Sequence, residues 1–205
     1  MAYLGTQPND VKKNTGLYTP SEILQLTKDG SWGGSLELIQ SQSVSGVSQV
    51  DFTSIKESRY DVHYVQLISM ETTSTGHPQA SKMQLRFSND GGSSYESGAS
   101  AYQWGNQFVS VSGSANESKD SADSSIEWTP RCNSGEPTSA YMYLYNLGNS
   151  AKFSFTSSHT TNNVDQGEFF SGGGAYTTAE TINAIRFYND YSMTGTINLF
   201  GVKQI

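Results

Sequence analysis

The segment KMQLRFS, residues 82–88, alternates without a break, with Met83, Leu85 and Phe87 on one face and Gln84, Arg86 and Ser88 on the other. A period of two is that of a strand with one buried face. SAYMYLYNL, from Ser139, repeats the pattern, with Tyr141, Tyr143 and Tyr145 set against Met142 and Leu144. AKFSFTSS alternates Phe153 and Phe155 with Ser and Thr, and YDVHYVQLISME, from Tyr60, is apolar on much of both faces. SLELIQS, GVSQVDFTSI, AYQWGNQFVSVS, SIEWTP, TINAIRFYND and GTINLFGVK supply further strands. Gly, Pro, Asn and Ser clusters separate them, including a turn at NDYSMTG between the last two. GSANESKDSADSS, Gly113 to Ser125, has no apolar period and is expected as a long exposed loop; NNVDQGEFFSGGGAYTTAE is also expected as loop. Roughly nine or ten short strands punctuated by turns predict an all-β fold, an antiparallel sandwich of the jelly-roll kind. Helix–strand alternation and a fixed repeat are both missing, which argues against α/β folds and β-helices.

Residues 1–34 follow a different pattern and are expected to form a short N-terminal arm ahead of a β-domain at 35–205. In YTPSEILQLTKDG, Thr19 is placed to cap a helix, Pro20 suits its first position, and Glu22 completes a capping box. Ile23, Leu24 and Leu26 give a small apolar face, and Gly30 is a plausible stop. A helix of this length does not stand alone in water, so it docks either on its own domain or on another subunit. In the second case the segment is an attachment arm, with Tyr3, Leu4, Tyr18, Ile23, Leu24 and Trp32 as the residues available for contact.

Composition strengthens the β assignment. Charged residues are 15% of the 205, and Gly, Ser, Thr and Tyr are abundant. The net charge of -7 argues against nucleic-acid binding, which needs Lys and Arg to neutralise phosphates. Cys132 is the single cysteine, so no intrachain disulfide forms, and a free thiol in a reducing compartment is expected. No apolar run approaches the ~20 residues of a membrane span. The first residues lack the basic and apolar regions of a signal peptide, so synthesis in a cytoplasm and a soluble product are expected.

Candidate chemistry is sparse. His63, His77 and His159 show no metal-ligand spacing, and no nucleophile elbow is present. Glu37, Glu127, Asp51 and Asp61 lie in or beside strands without an evident pair. No catalytic residue, cofactor or metal is therefore assigned. LRFSNDGGSSYESG has neither the lysine and helix of a phosphate loop nor a full set of calcium ligands. Its Asn-Asp-Gly is expected to turn the chain tightly after a strand. Tyr95, Tyr102 and Trp104 lie close together in sequence. Each taken singly fits a core or an interface; together they are the candidates for stacking on a sugar ring.

Three stretches resemble virion proteins of tailed bacteriophages, especially those infecting marine bacteria. They are TGLYTPSEILQLTKDGSWGG near the start, YDVHYVQLI with KMQLRFSNDGGSSYESGASAYQW in the middle, and MTGTINLFGVK at the end. The resemblance implies a non-enzymatic β-sandwich component of a tail fibre, a tail-associated protein or a capsid-surface decoration. Such proteins are commonly homo-oligomeric, often trimeric, and assemble in the host bacterial cytoplasm. The expected partners are other virion proteins, held through the arm, with no nucleic acid and no membrane insertion. The alternative is a carbohydrate-binding module that recognises a host surface glycan.

Overall fold

A computed structural model of the chain describes residues 19–28, 35–75, 82–111, 113, 115–162, 167–203. The chain divides into two units, Met1–Ser35 and Leu36–Ile205. In the first, helix α1 spans Pro20–Lys28. The expected capping box is present. The Thr19 amide and hydroxyl both donate to the Glu22 carboxylate at 2.7 Å, and the Glu22 amide donates back to the Thr19 hydroxyl at 3.3 Å. These bonds hold Glu22 below the usual carboxylate range. Leu24 is 55% exposed and Ile23 half-buried. Tyr3, Leu4, Tyr18 and Trp32 lie outside the described residues.

The second unit is the all-β antiparallel sandwich expected from the pattern. Its strands are β1 (Leu36–Phe52), β2 (Val62–Thr72), β3 (Lys82–Ser88), β4 (Tyr102–Ser110), β5 (Ala115–Asp123), β6 (Ile126–Arg131), β7 (Thr138–Tyr145), β8 (Ser154–Asn162), β9 (Glu168–Tyr176) and β10 (Ala184–Val202). They form one sheet in the order β5-β4-β9-β8-β7-β2-β10-β3-β6, with β1 on the other side of β10. The sheet folds over on β10. Residues Ala184 to Tyr188 pair with β3, Met193 to Val202 pair with β2, and β1 follows β10 through both parts. This creates a larger layer, β5-β4-β9-β8-β7-β2, and a smaller one, β3-β6, joined through β10 and β1. β6 packs across onto β9 and β8.

The fold in β10 falls at Asn189–Ser192, between its two partners. Asn189 is buried; its amide donates to the Lys82 carbonyl at 2.9 Å, and its carbonyl accepts from the Tyr191 amide at 2.9 Å. The Ser192 carbonyl accepts the Thr73 amide. On β1 the matching irregularity is at Ser45–Gln49, where Gly46 has φ +70°. NDYSMTG is therefore a bend within one strand, not a turn between two. SLELIQS and GVSQVDFTSI are likewise one bent strand.

The core lies between the layers. Met83, Leu85 and Phe87 of β3 and Met142 and Leu144 of β7 are all fully buried, as their alternation requires. Phe187 packs its ring against Phe52 at 5.9 Å and Trp128 at 5.1 Å. Each such side chain contributes roughly 1.5–3 kcal/mol when removed from water.

Two expected loops are strands. β5 is an edge strand whose side chains are exposed on both faces, so no apolar period marks it. β9 carries Gly172, Gly173 and Gly174 because its neighbours leave no space. A Cβ on Gly173 would stand 2.3 Å from the Thr156 carbonyl oxygen, and one on Gly174 would stand 2.8 Å from Ile126. By contrast, a Cβ on Gly105 of β4 would make only one ordinary contact, 3.8 Å from Lys119. Gly173→Ala is expected to lower stability by about 1–3 kcal/mol in urea unfolding. Gly105→Ala is expected to change it by less than about 0.5 kcal/mol; equal costs at the two positions would refute the close-approach account.

His63 is fully buried on β2, with Nε2 placed to donate to the Ile55 carbonyl at 2.8 Å and Nδ1 without a partner. Burial lowers its pKa below the ordinary 6.5. As pH falls below about 6.5 the unfolded chain takes up this proton first, so stability is complete above that value and declines toward the folded pKa. His63→Gln is expected to flatten the fall in thermal midpoint between about pH 7 and pH 5. An unchanged slope would assign that fall to other groups.

Candidate functional site

Strand register decides which side chains share a face. Across the larger layer, Phe200, Tyr64, Tyr143, Ser157, Gly173, Gly105 and Lys119 form one row of cross-strand neighbours from β10 to β5. Beside it run Asn198, Gln66, Tyr141, His159, Ser171 and Gln107. Next come Thr196, Ile68 on the adjoining strand, and Ser139, Thr161, Phe169 and Val109. On the other flank are Val202, Val62, Tyr145, Phe155, Ala175 and Gln103. All of these point away from the core.

This outer face has two unusual properties. From β10 to β4 these four rows hold no Asp, Glu, Lys or Arg, on a chain with a net charge of -7; the nearest outward carboxylate is Glu71 at the end of β2, which accepts the Gly135 amide at 3.0 Å. It is also aromatic where a solvent face is normally polar. The Tyr64 ring centroid lies 5.2 Å from Tyr143, 5.8 Å from Phe200 and 6.0 Å from Tyr141, and Tyr141 lies 5.2 Å from His159. Tyr143 stacks with Tyr145 at 6.3 Å. Strand β8 is inverted relative to a usual sandwich strand: Ser154, Thr156, Ser158 and Thr160 are buried, while Phe153 and Phe155 are 46% and 43% exposed. The Thr156 hydroxyl is used inside, accepting the Gly174 amide at 2.8 Å.

Two grooves open on this face. The first, about 350 Å³, is lined by Tyr64, Gln66, Ile68, Ser139, Tyr141, His159 and Thr161 with backbone neighbours. The second, about 680 Å³, has Gly173, Gly174 and Ala175 for its floor. Phe155, Gln103, Trp104 and Lys119 to Ser121 surround it. On this margin Lys119 is paired with Glu117 at 2.8 Å, which leaves Asp120 as the charge facing the groove. Rings beside amide and hydroxyl groups, in open concave sites, suit a flat ligand that is apolar on its faces and rich in hydroxyls at its rim.

Of the three aromatics expected to form such a site, Trp104 alone lines a groove. Tyr102 is fully buried; its hydroxyl accepts the Phe87 amide at 2.9 Å and donates to the Glu96 carbonyl at 3.2 Å. Trp104 is 8% exposed, its indole N–H donates to Asp123 at 2.8 Å, and it is among the residues that line the second groove. Tyr95 lies in the crossing between β3 and β4, where Arg186 covers its ring at 4.0 Å and Asp51 binds that guanidinium through two bonds of 2.7 Å. Burial raises its hydroxyl pKa to about 12. These three side chains therefore share no exposed surface. The Tyr141, Tyr143 and Tyr145 alternation was the visible signal for the real aromatic face, but nothing in it says that the tyrosine side points outward.

The Asn-Asp-Gly segment is a crossing between layers, not a hairpin turn, because β3 and β4 are not paired. Gly91 and Gly92 have φ +74° and +88°. Asp90 organises the loop: its carboxylate accepts the Ser88 hydroxyl at 2.7 Å, the Ser94 amide at 2.9 Å and the Ser94 hydroxyl at 2.6 Å. The Ser94 hydroxyl and amide, then Ser88, hold its pKa down to about 2. Both oxygens are thus engaged within the loop.

The acidic groups near strands are dispersed. Glu37 pairs with Arg59 at 3.1 Å and Lys56 at 3.4 Å. Glu127 pairs with Lys82 at 2.6 Å, and its pKa is raised because burial outweighs that partner. Among the described residues, no three or more His, Cys, Asp or Glu side chains converge as a metal site, and no helix is long and apolar enough to cross a membrane.

No family model matches the chain, and no curated protein matches it. Similar solved structures include the marine alginate lyase of Aplysia kurodai, at 8% identity and a TM-score of 0.26, covering 67% of this chain and 71% of that one. The Emp47p carbohydrate recognition domain has 9% identity and a TM-score of 0.25, covering 83% and 90%. A human SPRY domain has 10% identity and a TM-score of 0.23, covering 76% and 97%. Likeness at these scores assigns no function.

Proposed function

We propose that the protein is a non-enzymatic recognition module that binds carbohydrate through the outer face of its larger layer. The observation that carries this reading is the aromatic surface, grooved at Tyr141–His159 and at Phe155–Gly173, whose central rows hold no charged side chain on an otherwise acidic protein. Sugar rings stack on aromatic faces, and their hydroxyls exchange hydrogen bonds with Gln, Ser, Thr and His side chains. The resemblance to tailed-phage virion proteins supports a setting for the module. It is a structural component of a particle, assembled in the bacterial cytoplasm as a homo-oligomer and held by residues 1–34, and it presents this face to a host surface glycan. The separate capped helix, with Leu24 exposed, supports an arm that gains its full set of contacts from a partner.

Binding is tested on an array of bacterial surface glycans and neutral oligosaccharides. Tyr141→Ala and Phe155→Ala are each expected to weaken binding roughly tenfold, about 1.4 kcal/mol, with circular dichroism unchanged. Variants that bind as the parent does would overturn the reading. So would variants that instead lower the particle mass in solution, since the face would then be a subunit contact. Removal of residues 1–34 is expected to leave a folded β-domain that no longer enters particles; normal incorporation would refute the arm.

A further inference from the structure

We infer that the ligand of this face is a neutral polysaccharide, bound at an internal stretch and running across the strands rather than along one of them. This rests on the carbohydrate reading above and specifies what kind of carbohydrate is taken.

The two grooves are neighbours on the face. His159, at the margin of the first, and Gly173, in the floor of the second, lie on adjacent strands and adjacent rows, with Ser157 and Ser171 between them. A line from Tyr64 to Lys119 crosses β2, β7, β8, β9, β4 and β5, and five spacings of about 4.8 Å give a track of about 24 Å. That length far exceeds a single sugar ring. The track begins over tyrosines and descends where Gly173 and Gly105 remove the side chains from two neighbouring strands. Such a depression admits a chain that could not cross a continuous ridge of tyrosines. Both ends are open: the row continues past Tyr64 through Phe200 to Leu38 on β1, and at the other end Lys119 lies on the edge strand β5. No wall closes either end among the described residues, as would be needed to select a chain terminus. The charge pattern sets the class. An acidic polymer needs cations spaced along its path, and the track offers only Lys119, which Glu117 neutralises.

The test uses glucan, mannan and galactan oligosaccharides from mono- to octasaccharide, with alginate and hyaluronan oligosaccharides as acidic probes, in calorimetry with the full chain. For a neutral series, affinity is expected to rise roughly tenfold or more between di- and hexasaccharide and then level off, with one hexasaccharide bound per chain. Gly105→Tyr places a bulky side chain across the middle of the track, at a position where an added Cβ meets only Lys119, at 3.8 Å. It is expected to return the hexasaccharide affinity to that of the disaccharide. Binding without length dependence, two independent molecules per chain, or a hexasaccharide affinity indifferent to Gly105→Tyr would overturn the inference and leave the carbohydrate reading standing. Preference for the acidic probes would overturn its neutrality. Failure of all these probes and of the surface-glycan array would remove the reading itself.

Discussion

The structure depends on one pair of strands belonging to two layers at once. β10 must hydrogen-bond β2 along one half and β3 along the other, with β1 following it on the opposite side. A strand cannot change layers without interrupting its ladder, and every interrupted backbone group in the interior needs another partner. The buried Asn189 meets part of this need by bonding the Lys82 carbonyl and the Tyr191 amide, and the Thr73 amide takes up the Ser192 carbonyl. Farther along, Gly195 brings its backbone so close to Met70 that a Cβ would stand 2.9 Å from that residue's Cα. Once this corner is set, the two inner faces oppose each other and Phe52, Phe187 and Trp128 close on one another. The outer surface of the larger layer is fixed by the same register.

Much of this was readable in the sequence where burial is one-sided. β3 and β7 bury alternate apolar residues, so their pattern gave both the strand and its faces. The helix start at Thr19 was legible because a capping box is local chemistry. β5 escaped because an edge strand with both faces exposed has no reason to alternate. β9 escaped because glycines set by a neighbour's backbone resemble the glycines of a loop. The corner in β10 was visible only as a cluster of turn residues, and whether such a cluster reverses a chain or bends it depends on pairing partners far away in sequence.

The site was harder to read for a related reason. Period-two alternation separates two faces but does not say which is inside. In β8 the ordinary assumption fails, because the phenylalanines face out and the hydroxyls face in. Tyr95, Tyr102 and Trp104 are neighbours in sequence but are divided between an inter-layer crossing and the core of the larger layer. The residues that do converge, such as Tyr64, Tyr141 and Phe155, come from separate strands. Charge was the more informative signal: apart from Glu71 at the end of β2, the strands β2, β7, β8 and β9 carry no charged side chain on their outer side.

The glycine run of β9 has a consequence for how this domain can vary. In composition, Gly172 to Gly174 resemble a linker, the kind of segment in which substitutions and length changes accumulate freely. In space each one touches a neighbouring strand or the opposite layer so closely that the smallest side chain displaces something. Change on this surface is therefore channelled to the rows of side chains on either side, where Phe155, Gln103 or Tyr141 can be exchanged over a floor that stays the same. A population under pressure to recognise new surfaces would alter the walls of the depression and inherit its floor intact.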